Sequence, residues 1–299
     1  GMSASLWPLF PQRQNRPTLN GVNLSNELSL SMRTGTETWG YALSATPGFY
    51  AGYDIRGVLL GRFYLQEAYV KLGYGFSELL VGRYARRFGD ARHGSLLYSG
   101  AAAPLDVIEY ALRPLVPPGT FSFLGPVSLR TWIGNQGGAE LAVPWATFWG
   151  LEWGLRPLQA WELAFAQLLQ FGGNGANRAG NLTLAASTGI WLPRNRAKLY
   201  GQVLLSRLGE PGVGLSFLTG LWLPKLWRWD FRVEYVSLAK GAYQHPFWTQ
   251  GLTYRGSPLG HPLGPDAQGL YFDLGLPPIF TWWHSEIGFL YEARGLSLQ

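Results

Sequence analysis

The chain has 299 residues, of which 14% are charged and 15% aromatic, and its net charge of +6 rests on twenty arginines and only four lysines. Soluble domains carry about 25% charged residues, so an ordinary water-soluble enzyme fits poorly, and no apolar run approaches the roughly 18–20 residues of a membrane-spanning helix. The absence of cysteine excludes a disulfide framework and cysteine metal sites. Forty scattered glycines argue against long helices, because each one inside a helix costs about 1 kcal/mol relative to alanine.

From the N-terminus, GMSASLWPLF lacks a positive segment followed by an apolar core, so no signal peptide is expected within it. Gly1–Met2 looks like a cloning scar ahead of a mature start, residues 1–18 form an N-terminal extension, and 19–299 make a single domain. Alternation with period two then dominates. Leu24, Leu28, Leu30 and Met32 oppose Glu27, Ser29 and Arg33. Further on, Trp149, Leu151, Trp153 and Leu155 oppose Glu152 and Arg156. Trp227, Trp229, Phe231, Val233 and Tyr235 oppose Arg228, Asp230, Arg232 and Glu234. Trp283, Ile287, Phe289 and Tyr291 oppose His284, Glu286 and Glu292. Such alternation marks strands with one apolar and one polar face. It predicts strands over 22–32, 36–46, 49–60, 62–74, 77–86, 106–113, 126–136, 147–156, 160–170, 181–192, 197–208, 213–223, 228–239, 268–276 and 281–294.

These segments are longer than the five or six residues usual in sandwiches and long enough to cross a bilayer when tilted. Trp39, Trp191, Trp222, Trp227 and Trp282 gather near segment ends, as in the aromatic girdles of outer-membrane barrels. A sheet in lipid must pair every backbone group, so it has to close. The prediction is an all-β fold: a closed antiparallel transmembrane β-barrel of about 14–16 strands, up to 18, in the bacterial outer membrane. Its partners would be outer-membrane lipid and the barrel-insertion machinery. The competing fold is a soluble β-rich lectin.

Three long connections, Arg87–Leu105, Gln136–Pro144 and Lys240–Gln268, exceed or approach the length at which loops become functional, and they are expected to fold over or into the lumen. They carry no recognisable catalytic constellation. His93, His245, His261 and His284 lack metal-ligand spacing, so no metal site is predicted. Gly256–Ser257–Pro258 is not a nucleophile elbow, and residues 171–177 (FGGNGAN) lack the Lys-Ser/Thr of a phosphate-binding loop. The acid pairs Asp230/Glu234 and Glu286/Glu292 share their strand faces with arginine or histidine, which favours ion pairing over glycoside hydrolysis. An enzyme is not expected, nor any cofactor.

The arginines are the remaining feature. Arg83, Arg86, Arg87 and Arg92 cluster with Tyr84 and His93, and guanidinium forks match carboxylate and phosphate. The matching ligand is an acidic surface polysaccharide or lipopolysaccharide phosphate; nucleic acid does not suit a membrane barrel. Candidate polysaccharide contacts are Arg86, Arg87, Arg92, Trp248, Tyr254, Arg255 and His261, with aromatic faces on sugar rings and arginines on acidic groups. His261, in a Gly/Pro loop, suits bracing better than chemistry, and Arg255 is placed to pair with Asp266. Ion-paired lumen arginines of a porin or anion-selective channel account for the same cluster.

Five stretches, taken in order, resemble the capsule assembly protein Wzi family. They are FYLQEAYVKLGYGFSELLVGRYARRFGD (63–90), HGSLLYSGAAAPLDVI (93–108), LGPVSLRTWIGNQ (124–136), LQFGGNG (169–175) and HPFWTQGLTYRGSPLGHPLGPDAQGL (245–270). The resemblance implies a closed outer-membrane barrel, plugged by its loops, that anchors exported capsular polysaccharide as a surface lectin. It implies neither a catalytic residue nor an open pore. Family members usually have about 18 strands and a periplasmic helical bundle, and no segment here has the helical periodicity for that bundle. The chain ends GLSLQ, without the aromatic residue common at barrel C-termini.

Overall fold

The computed structural model describes residues 2–7, 24–35, 39–53, 59–100, 102, 104–137, 143–174, 180–192, 196–208, 213–226, 229–248, 250–254, 257–276 and 286–295, with backbone alone for 2–7, 24–35, 39, 46–53, 59–66, 225 and 226. Residues alternating in polarity sort onto two faces only in an extended chain, and strands follow: β1 (Met2–Trp7), β2 (Leu24–Gly35), β3 (Trp39–Tyr53), β4 (Leu59–Tyr74), β5 (Ser77–Tyr84), β6 (Leu105–Leu115), β7 (Val127–Asn135), β8 (Thr147–Leu158) and β9 (Trp161–Phe171). Next come β10 (Asn181–Trp191), β11 (Lys198–Leu208), β12 (Gly214–Leu226), β13 (Trp229–Leu238), the two-residue pair β14 (Thr253–Tyr254) and β15 (Ser257–Pro258), β16 (Ala267–Gly275) and β17 (Glu286–Arg294).

All but β14 and β15 join one 15-stranded sheet in chain order. Among the described residues, no pairing links β1 to β17. The predicted segments 36–46 and 49–60 turn out to be β3 and the start of β4. Pro47 lacks a ladder donor, and the strand absorbs it through a register shift at Thr46/Pro47. Met2–Trp7 pairs antiparallel with β2.

The two ends of the sheet differ. At one end β4–β5 and β8–β9 turn within two residues, and the longest connection whose residues are all described is 116–126, with a 3-10 turn over Gly119–Leu124. The opposite end carries 85–104, 136–146 and 239–266. These are called below the short-turn end and the long-loop end.

The polarity of the two faces is inverted relative to a soluble domain. Glu109, Gln170, Thr183, Gln202, Ser216 and Glu234 are buried, while Leu72, Val81, Ile108, Phe165, Val203 and Phe289 are exposed on the other face. Water penalises an exposed apolar face of this extent; lipid does not. The aromatic girdle needs correction. Trp191 and Trp222 lie on the buried face: both pair in register with Lys198, and Lys198 and Arg232 sit over their rings. Their indoles pack against each other with centroids 5.5 Å apart. Cation–π contact holds them inside, and the exposed aromatics near the short-turn end include Tyr74, Phe76, Phe121, Phe123, Trp161 and Trp229. Trp227 and Trp282 lie outside the described residues, and Trp39 is described by backbone alone. No helix among the described residues is long and apolar enough to cross a membrane, which bears only on helices.

The sheet curls strongly. Loop 85–104 is folded back on itself by Phe88 N donating to Tyr98 O, yet it bonds Glu109 on β6, Gln202 on β11, Glu234 on β13, Asp273 on β16 and Glu286 on β17. A flat sheet would spread β6 to β17 over nine steps of about 4.8 Å each. So compact a loop reaches them all because the sheet wraps around it.

Candidate functional site

Loops 85–104 and 239–266 fill the concave face. Phe88, Leu96, Leu97 and Tyr98 from the first and Tyr243, Leu252, Leu259 and Leu263 from the second share one apolar cluster with strand residues such as Trp132, Leu204 and Val236. Each also makes the polar bonds that specify its place. Tyr243 Oη donates to Leu96 O at 2.8 Å and accepts from His261 N at 3.0 Å. Ser99 Oγ donates to Gly260 O at 2.5 Å. Burial raises the Tyr98 and Tyr243 hydroxyls above the ordinary tyrosine range, so both stay neutral.

Glu234 anchors the first loop. Its side chain is 1% exposed and accepts from Arg92 N (2.6 Å), His93 N (3.0 Å) and Tyr200 Oη (2.6 Å), with Arg232 Nη1 at 3.7 Å. Gln202 works beside it: its Oε1 accepts from Leu96 N and its Nε2 donates to Phe88 O, both at 2.9 Å. The loop tip thereby reaches towards the short-turn end. There Lys198, at the start of β11, joins Asp90 to Glu162 at 2.8 Å each, and His93 stacks on Tyr271 at 4.4 Å while its Nε2 meets Asp273 at 2.7 Å. The second loop is pinned nearer its origin, where Gln136 Nε2 donates to Thr253 O at 2.7 Å and Gln170 Nε2 to Gln136 Oε1 at 3.0 Å.

The candidate contacts fall into two groups. Arg86 is buried, pairs with Glu109 and lies 4.6 Å over the Trp132 ring; burial pulls its guanidinium below the ordinary arginine range, with Glu109 opposing. Trp248 (0% exposed), Tyr254 and His261 are also buried, and their neighbours are protein: Trp248 packs on Phe247 and His245, Tyr254 in the shared cluster. Arg87 and Arg92 remain exposed. Arg87 Nη2 donates to Arg92 O at 3.2 Å, and Arg92 Nη2 meets Glu286 at 2.6 Å. Arg255, and with it the predicted pair to Asp266, lies outside the described residues. Sequence reasoning missed Glu234 and Gln202 as anchors. The available signal was a polar side chain on the inward face midway along a strand, far from either rim.

His261 braces the second loop. Its Nδ1 accepts from Leu263 N at 3.3 Å, and burial, helped by His93 and Arg294, lowers its pKa to about 3. The unfolded loop takes up a proton near pH 6.5 while the folded one does not, so loop stability falls as pH drops from about 6.5 towards 3, by up to about 1.4 kcal/mol per unit. Protection factors of residues 257–266, with exchange referred to the intrinsic rate at each pH, should fall across that window in the wild type, and His261→Phe should flatten the dependence. An unchanged slope in the variant counts against this role.

The family profile described as capsule assembly protein Wzi matches residues 2–190. The chain belongs to that family. A solved relative described as Wzi, an outer-membrane protein involved in group 1 capsule assembly in Escherichia coli and a carbohydrate-binding β-barrel, superposes with a TM-score of 0.78 at 20% identity, covering 100% of this chain and 70% of the relative. Salmonella typhi OmpF superposes at 0.52 with 10% identity, covering 98% of this chain and 95% of that one. A Rhodopseudomonas blastica porin variant gives 0.50 at 10% identity, with 92% and 86% covered. At these identities the likeness is one of fold. No curated protein matches the chain. The Wzi profile covers the first inner loop and stops short of the second, although the quoted stretches 93–108 and 245–270 both lie largely on inner loops.

Proposed function

We propose that this Wzi-family chain closes into an outer-membrane β-barrel that holds exported, acidic surface polysaccharide without chemically altering it. The observation that carries this is the filled concave face: two loops locked by an apolar cluster, a buried carboxylate and paired glutamines leave a plugged scaffold in place of a channel. An apolar outer face suits lipid, and the relative's carbohydrate binding supports the ligand class. Arg87 and Arg92, exposed on the first loop, supply the acidic-group contacts, Arg92 where the loop tip reaches Glu286 at the short-turn end; Arg255 remains a further candidate. Arg86, Trp248, Tyr254 and His261 hold the loops that present them.

Purified protein should retain its host's surface polysaccharide in a salt-sensitive way and show no steady conductance in planar bilayers. Arg87→Gln with Arg92→Gln should weaken retention by at least about tenfold for each charge-assisted hydrogen bond lost, so about a hundredfold together. Steady wild-type conductance with no retention would establish the porin reading instead.

A further inference from the structure

A second site lies away from Arg87 and Arg92. A cavity of about 380 Å³, within the range of small-ligand pockets, opens between β3 and β7 on the concave face. Gly40, Gly73, Glu78 and Arg113 in its lining border the turns of the short-turn end, and Tyr84 and Glu109 lie deeper. Its charges are arranged in layers. The side chains of Lys71, Arg113 and Arg130 are 39%, 52% and 44% exposed, whereas their partners Glu78, Glu109 and Glu152 are 18%, 8% and 19% exposed. Lys71 and Arg113 share Glu78 at 2.5 and 2.7 Å, and Arg130 lies 3.4 Å from Glu109, which Arg86 also holds. Among the described residues lining the cavity, three cations (Lys71, Arg113 and Arg130) face two carboxylates (Glu78 and Glu109), a surplus of one positive charge. A ligand therefore meets cations first, with the carboxylates behind holding them in place.

The aromatic lining supplies the other half of sugar recognition. Tyr69 and Tyr84 line the cavity on the concave face and meet edge to face with centroids 5.1 Å apart. Gly73 keeps the floor open: a Cβ there would lie 3.0 Å from Arg113 Nη2.

We propose that this cavity is a distinct binding site for a short uronic-acid saccharide, its carboxylate held by Lys71 and Arg113 and its ring faces by the tyrosines. This rests on the barrel reading for its sidedness: outer-membrane barrels keep short turns in the periplasm, so the site takes an acidic saccharide from the inner side.

Calorimetry on the full chain in detergent tests it, using trigalacturonate, maltotriose and inorganic phosphate. Trigalacturonate should bind at least tenfold more tightly than maltotriose, and Lys71→Gln with Arg113→Gln should weaken it about tenfold with β-sheet circular dichroism unchanged. Tyr69→Leu should weaken both saccharides. Equal binding of the two saccharides, displacement by equimolar phosphate, or indifference to the Lys71/Arg113 change overturns the proposal. Polysaccharide retention, measured in parallel, separates the two ideas: its loss with trigalacturonate binding intact refutes only the surface anchor, and its persistence without trigalacturonate binding refutes only this site.

Discussion

Glu234→Ala should convert a plugged protein into a conducting one. Arg92 N, His93 N and Tyr200 Oη all donate to this one carboxylate, and each buried donor left unpaired costs about 1–3 kcal/mol. Arg232 would lose its neighbouring anion as well, so the total is at least about 3–5 kcal/mol. That is comparable with the whole local stability of many loops, and the tip of 85–104 should leave the concave face. Steady single-channel conductance should appear in planar bilayers, and trypsin should cut after Arg87 or Arg92 in the intact sheet. Glu234→Gln keeps an acceptor oxygen and should give an intermediate effect. A silent, protease-resistant Glu234→Ala protein would show that the apolar cluster alone holds the plug.

Gly260→Ala should separate the two loops from each other while leaving the first attached to the sheet. A Cβ at Gly260 would lie 2.3 Å from Leu96 O and 2.4 Å from the Tyr243 ring, inside contact distance for a backbone atom and a buried side chain alike. The ring cannot swing away without losing its bonds to Leu96 O and His261 N. Overpacking of this kind costs about 1–3 kcal/mol or more, and it should appear as faster hydrogen exchange across 239–266 with exchange at 85–90 little changed. Equal protection in variant and wild type would mean that the loops relax around the methyl group.

The second loop carries the most distinctive part of the family resemblance, YRGSPLGHPLGPDA, and its glycines and prolines show their purpose here. Gly260 allows the close approach of the loops, and Pro258 closes the short β14–β15 hairpin opposite Thr253. Composition predicted a rigid, turn-rich loop rather than a linker. It could not predict that the loop's aromatic residues face protein. Trp248 and Tyr254 look in sequence like sugar-stacking side chains, and only the packing of Phe247, His245 and the shared cluster places them inside.

Strand character and strand length were legible because alternation is a local property: each residue's face depends only on its neighbours' parity. The same parity set Glu234, Arg232 and Asp230 opposite Phe231 and Val233, and family membership was visible in contiguous stretches of chain. Which face was buried, and by what, depended on contacts between residues far apart in the chain. Glu234 meets Arg92 across 142 positions, and Gln202 meets Leu96 across 106. Trp191 and Trp222 show the limit from the other side: tryptophans near strand ends fit a lipid girdle, but their register with Lys198 turns them inward. No local pattern encodes such pairings, because loop closure and sheet curvature bring the partners together only once the whole ladder has formed.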